Sequence, residues 1–350
     1  MANGDTSASR LGQVNVAGDA NALFLKVFSG EILTTFEEFN VMKGLHTIRT
    51  IANGKSAQFP VTGIATANYH TPGENIADAG QNPSYLSQIK HAEKVITIDD
   101  VLLASTFIAN IDELKNHYDV RSIYAQELGK ALAKRFDLAT MKTLAAAARA
   151  ESALKTSASD GYDGIDGIAI NSTVALNSLT GQNIQDVLFE AAQKLDENDI
   201  PNDGKRFAIL KPKDYYTLIA SGEEVVNRDF GGRGDVATGR IPMVAGINIY
   251  KSNHLADVDE DLSSVDTGDG SSSVKNNVFG GGSNGAGYNG NLSKTQIIGG
   301  HPSAIGTVKL LDLATESDYK VELQGSLFVA KYAMGHGVLR PEAAFEVSAP

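Results

Sequence analysis

No proline occurs between Pro83 and Pro201, and inside that window the residues from Asn110 to Ala150 are strong helix formers. Leu114, Tyr118, Leu128, Leu132, Phe136 and Leu144 fall mostly on one stripe, the spacing of a helix with an apolar face. Thirty continuous residues would make a rod of about 45 Å at ~1.5 Å per residue, longer than most single-core domains accommodate. Asn110 with Glu113 forms one possible capping box at its start, and Asp119 is an equally good alternative start. This is the longest helical stretch in the chain.

Before it, Leu23, Phe24, Val27, Phe28, Ile32 and Phe36 recur at helical spacing between Asn21 and Phe39, with a bend expected at Gly30. Asn53-Gly54, between the strand-like flanks of Thr47 to Val61, predicts a tight hairpin, and Pro60 predicts an edge position. A polar stretch from Gly63 to Gln88 then leads into strand-like Lys94 to Val101, so the region reads as a long two-stranded arm with a loop at its tip. After the loop Ser157 to Gly167 the pattern becomes α/β: a helix around Asn183 to Glu197, a buried strand Arg206 to Leu210, a short helix after Pro212, and a strand Ile247 to Tyr250. Ala256 to Gly290 is a Gly- and Ser-rich acidic insertion expected to be flexible. Strands return at Tyr319 to Gln324, Leu327 to Tyr332 and Ala343 to Val347. The fold class expected is α+β.

Composition narrows the function. With no cysteine in 350 residues, disulfides, zinc thiolates and thiol nucleophiles are excluded, and a reducing compartment such as the cytoplasm fits. A formal charge of -12 argues against a tight grip on a phosphate backbone. Met1 to Arg10 has no signal-peptide character, and no run reaches the ~18 apolar residues of a membrane span, so no membrane partner is expected.

The motifs that would carry chemistry fail in detail. The seven histidines are scattered without metal-binding spacing. Gly54-Lys55-Ser56 resembles the end of a phosphate loop, but Arg49 stands where its first glycine belongs. The GxGxxG matches at Gly280 to Gly290 lie in low-complexity sequence. Asp257, Asp259 and Asp261 open like a calcium loop, but Leu262 replaces its glycine and Gly268 its closing glutamate. Arg233-Gly234-Asp235 and the sequons at Asn171 and Asn291 lack a secretory context. Catalytic, cofactor and metal residues are therefore expected to be none, and the chain is read as an interaction protein, not an enzyme.

Seven strings point further: NALFLKVFSGEILTTFEE at 21–38, GKSAQFPVTG at 54–63, TPGEN at 71–75, KHAEKVITIDDVL at 90–102, NHYDVRS at 116–122, SAIGTVKLLDLA at 303–314 and AKYAMGHGVLRPEAA at 330–344. In order and spacing they resemble the major capsid proteins of autographivirus-type, T-seven-like short-tailed double-stranded DNA phages. That resemblance implies the Hong Kong 97 fold, divided here as an N-terminal arm 1–51, an E-loop 52–93, a P-domain with a spine helix 94–156, an A-domain 157–302 containing the insertion 256–290, and P-domain C-terminal strands 303–350. Ile76 to Gln88 and the insertion are longer than the family pattern.

The resemblance also implies self-assembly into hexamers and pentamers of an icosahedral shell in the virion, built in the host cytoplasm on a scaffolding protein. A portal at one vertex and packaged DNA in weak contact complete the expected partners. An arm with no helix of its own to cover it needs a neighbour, which makes Phe59, Val61, Ile64, Tyr69 and Glu74 the candidate inter-subunit contacts. The alternatives are an encapsulin-type nanocompartment shell and an α/β enzyme using the carboxylates around Asp160 to Asp166.

Overall fold

The computed structural model describes residues 40–63, 89–99, 101–109, 120–152, 165–172, 179–221, 243–255 and 294–350, with isolated positions at 32, 34–36 and 154 and some between 65 and 76. Helix and strand are both present in strength, as an α+β chain requires.

In chain order the strands and helices are β1 (Thr47–Thr50), β2 (Ser56–Thr62), β3 (His91–Thr97), β4 (Leu102–Ala109), α1 (Val120–Arg149), β5 (Ile168–Asn171), α2 (Gly181–Glu197), β6 (Phe207–Leu210), α3 (Pro212–Ser221), β7 (Met243–Val244), β8 (Ile247–Lys251), β9 (Thr295–Gly300), β10 (Ile305–Lys320), β11 (Gly325–Val338) and β12 (Ala344–Ser348). They form a four-stranded sheet ordered β1-β10-β11-β4, a six-stranded sheet ordered β5-β12-β9-β6-β8-β7, and the ribbon β2-β3.

The predicted rod is α1. It packs against β4, β10 and β11 of one sheet and β5, β9 and β12 of the other. Every residue from Phe136 to Ala145 is consequently buried, polar Asp137, Thr140, Lys142 and Thr143 included. A helix clasped on all sides needs no single apolar stripe. Thr140 and Thr143 satisfy their hydroxyls on the Phe136 and Ala139 carbonyls one turn back, at 3.0 and 2.8 Å. The helix stops where the chain turns back on it: Gly167 donates to the Ala150 carbonyl, and a Cβ at Gly167 would lie 2.3 Å from the Ala147 oxygen.

The α2 helix begins two residues before the expected Asn183 because Thr180 caps it. Its Oγ1 accepts from the Asn183 N–H, and the Asn183 side chain accepts from the Thr180 N–H, both at 3.3 Å. In the six-stranded sheet β6 and β9 are wholly buried. One core runs from Ile32, Phe36 and Met42 through α1 into β6, β9 and β12.

Four sequence expectations change. The Asn53-Gly54 turn is not a hairpin turn, although Gly54 does take a left-handed φ of 118°. Its two flanks go to different sheets, β1 lying parallel to β10 and β2 antiparallel to β3. The ladder offered by β10 outcompetes the local turn. The alternating segment Tyr319 to Gln324 is strand only at Tyr319 and Lys320, the end of β10; beyond them Val321–Leu323 is a 3-10 turn and Gln324 is left-handed, forming the tip of the β10–β11 hairpin. The residues 303–350 do not form one block, since β12 leaves the four-stranded sheet and inserts between β5 and β9. Finally, β3 spans the expected boundary at Glu93, because pairing with β2 continues to Thr97. Of the helix expected at Asn21 to Phe39, Ile32 and Thr34–Phe36 are helical, and the remainder lies outside the described residues, as does the insertion 256–290.

Candidate assembly surface

The β2–β3 ribbon pairs from Ser56↔Thr97 to Thr62↔His91. Alternation puts Ala57, Phe59, Val61, Ala92, Lys94 and Ile96 on its inner face, and the outer face is solvent-exposed. Ala57 and Ile96 are buried in a small second core with Ile98, Val308 and Ala333. Close approach to β10 and β11 is possible because those strands lack side chains where the ribbon crosses. A Cβ at Gly335 would lie 2.0 Å from the Thr97 oxygen, and one at Gly337 would lie 2.6 Å from Ile96 Cγ1. Hydrogen bonds from Ile98 to the Lys55 carbonyl and from Gly63 to the Lys90 carbonyl, both 2.8 Å, close the ribbon at its two ends. Pro60 sits where expected, on a strand with a free edge.

The predicted contact residues separate into two groups. Phe59 and Val61 are half-buried and face their own chain, where with Leu154, Leu339 and Arg340 they line a cavity of about 630 Å³. The Arg49 guanidinium covers the Phe59 ring at 5.4 Å and donates to the Gln58 carbonyl at 3.1 Å. Tyr69, by contrast, is fully exposed, and Ile76 and Ile89 are each about half exposed. Ile64 and Glu74 lie outside the described residues. Two further exposed apolar residues, Val321 and Leu323, stand at the hairpin tip.

The body carrying this ribbon is tied by buried charge. Glu346 of β12, 2 % exposed, receives Arg149 Nε and Nη2 at 2.5 and 2.6 Å and the Thr295 hydroxyl at 2.6 Å, joining α1 to two strands. The hydrogen bonds that Arg149 donates to Glu346 raise its pKa. Arg206, 1 % exposed, donates to Asp196 at 2.6 Å and to the Pro201 and Ile200 carbonyls, fixing the turn between α2 and β6. Asp137 on α1 accepts from the Val41 and Met42 N–H groups and contacts His254. His46 and His336 sit on either side of Thr307, and burial holds both imidazoles below their ordinary pKa, His336 at about 3. Sequence spacing did not reveal this group, because its members lie up to 290 positions apart; the one local signal was an acid, Asp137, beside the apolar stripe of a helix. Asp166, from the carboxylate cluster considered for catalysis, accepts the Ser152 N–H at 2.8 Å, and Asp160 and Asp163 are outside the described residues. Among the described residues no group of three His, Cys, Asp or Glu is placed to hold a metal, and no helix is long and apolar enough to cross a membrane.

Residues 58–348 match the model of the Gp10A-like major capsid protein family. The chain belongs to that family. Its relatives include the major capsid protein of Escherichia phage T7, 37% identical over 342 residues that cover 95% of this chain and 93% of that one. The major capsid protein of Enterobacteria phage T3 is 34% identical, covering 99% and 97%. The solved capsid of cyanophage P-SCSP1u superposes with a TM-score of 0.70 at 37% identity, covering 89% of this chain and 88% of that one. The mature capsid of bacteriophage PhiM1 shares the fold, with a TM-score of 0.64, at 20% identity and coverages of 97% and 90%. The Hong Kong 97 architecture expected from the sequence is thus the fold of this Gp10A-like major capsid protein. Two of the strings that carried the resemblance, GKSAQFPVTG and KHAEKVITIDDVL, contain the ribbon strands, and AKYAMGHGVLRPEAA contains the glycines on which the ribbon lies.

Proposed function

We propose that this major capsid protein associates as hexamers and pentamers into the icosahedral wall of a phage virion, with the arm beyond Gly63 reaching onto a neighbouring copy. The observation that carries this reading is the division of the arm. Its base is covered by its own chain through Ile96 and Ala57, whereas Tyr69, Ile76 and Ile89 further out are left in water. A two-stranded ribbon is at best marginal by itself, so its outer part gains from a second copy that supplies strand pairing and apolar cover. In this reading 1–51 is the N-terminal arm, 52–93 the E-loop, and 157–302 the A-domain; 94–156 and 303–350 contribute the P-domain, with β12 crossing into the A-domain sheet. Phe59 and Val61 position the arm, and Tyr69 meets the neighbour.

Each contact in such a wall must be modest, because a misplaced subunit that cannot dissociate cannot be corrected. A scaffolding protein then supplies the missing association energy, and a portal occupies one vertex. The -12 charge suits a wall that touches packaged DNA weakly, with affinity that vanishes at physiological salt. Deleting Thr66 to Gln88 and expressing the chain with its scaffold tests the reading. A soluble subunit with near-native circular dichroism that forms no shells in electron micrographs is the expected result; normal particles would refute it.

A further inference from the structure

Residues 40–46 cross the middle of α1 and are fastened there by buried polar groups. Asp137, fully buried, accepts the N–H groups of Val41 at 3.0 Å and Met42 at 3.1 Å, and meets His254 Nδ1 at 2.8 Å. His46 Nδ1 lies 2.6 Å from the Met42 carbonyl oxygen, so that nitrogen carries a proton and Nε2 of the neutral ring is an acceptor. The Thr307 hydroxyl, 2.7 Å away, therefore donates to His46 Nε2 and accepts from His336 Nδ1 at 2.8 Å. Donation runs one way, from His336 through Thr307 and His46 to the Met42 carbonyl. A proton added to His46 turns its acceptor into a donor aimed at that hydroxyl, and leaves the hydroxyl hydrogen with no place in the chain.

We propose that residues 40–46 are an acid-released strap: protonation of the His46–His336 pair breaks this chain and frees the segment from α1 while α1 and the six-stranded sheet stay folded. Asp137 on α1 acts on His46, and His46 acts on His336. On the elements around them, Asp99 ahead of β4 and Asp137 and Arg135 on α1 act on Tyr332 of β11, His254 after β8 contacts Asp137, and Lys43 of the strap lies over Phe36. Asp137 favours a cation on His46, but desolvation outweighs it, and burial beside His46 takes His336 down to about 3. The sign follows from linkage. With the strap in place the rings stay neutral, and the His46 ring returns to water once it opens, so the attachment is complete at neutral pH and weakens as pH falls below the ordinary imidazole range. Each pH unit below that range favours the open state by up to about tenfold per imidazole. His336 lies on β11 and Thr307 on β10 of the four-stranded sheet, where they are ladder partners, whereas β6, β9 and β12 are held by their own ladders, by apolar packing and by Glu346.

Hydrogen exchange on the full-length chain between pH 7.5 and 5.0, corrected for the intrinsic pH dependence of exchange, tests this. Peptides covering 40–46 should lose at least tenfold in protection by pH 5.0 while peptides covering 136–145 are unchanged. His336→Asn keeps an N–H for Thr307 but cannot be protonated, and should cut that pH response at least threefold. Flat protection of 40–46 across the range, its loss together with 136–145, or a folded His336→Asn chain with the wild-type response would each overturn the proposal. If His336→Asn does not fold at pH 7.5, the wild-type comparison of the two peptides decides it alone.

Discussion

Ile96→Ala should detach the arm without unfolding the body. Ile96 is 3 % exposed and its Cγ1 and Cδ1 rest against Gly337 in a core of five buried residues. Removing three carbons forfeits about 0.8 kcal/mol each in transfer free energy, roughly 2.4 kcal/mol, before any cavity penalty. Buried Ile→Ala changes in general cost about 2–5 kcal/mol. The ribbon has no other large buried side chain, since Phe59 is only half-buried and Ala57 offers one methyl group. A loss of 2.4 kcal/mol shifts the docked-to-undocked ratio by about 50-fold, at ~1.4 kcal/mol per factor of ten. Limited proteolysis or hydrogen exchange should then show residues 56–62 and 91–97 opening far more readily, with α1 unaffected and shell yield reduced. Ribbon protection within threefold of wild type, with normal shells, would show that the second core does not hold the arm.

Other predictions test the supports of the same body. Arg149→Leu leaves Glu346 buried with only the Thr295 hydroxyl, and urea unfolding of the full chain should register a loss of roughly 2–3 kcal/mol, below the 3–5 expected of a fully buried pair because Arg149 is 39% exposed. Adding Glu346→Gln should recover part of it. Gly335→Ala places a methyl group 2.0 Å from the Thr97 oxygen and should cost about 1–3 kcal/mol in thermal or urea unfolding, whereas Gly44→Ala, with nothing within 4 Å, should show no such overpacking.

Elements with strong local determinants were legible in the sequence. The run of helix formers yielded α1 with its end placed within a residue, Pro212 marked the start of α3, and the apolar run FAIL was recognisable as a buried strand. Elements that depend on distant partners were not. Asn53-Gly54 is a good hairpin turn in isolation, and nothing near it reveals that Thr47–Thr50 will pair with Gly306–Lys309 instead. Tyr319 to Gln324 alternates as a strand does, yet the ladder ends at Lys320↔Gly325 and the left-handed Gln324 makes the residues from Val321 on a turn. At the arm, exposure of apolar residues was read correctly for Tyr69, but the inward facing of Phe59 and Val61 depends on glycines almost 280 positions away. The polar group around Asp137 was invisible for the same reason.

The place of β12 has a consequence for how the chain comes to exist on the ribosome. Ala344–Ser348 is synthesised after every strand it joins, yet it lies inside the six-stranded sheet, with β5 on one side and β9 on the other. Until it emerges, β5 lacks its one ladder partner among the described residues and the Arg149 guanidinium lacks Glu346. Such pairing between remote positions is slow to form, while a polysome holds many nascent copies close together, at ~5–20 residues added per second. A chain that completes its six-stranded sheet only with this late strand cannot present the finished surface of that sheet to another copy until β12 has been made.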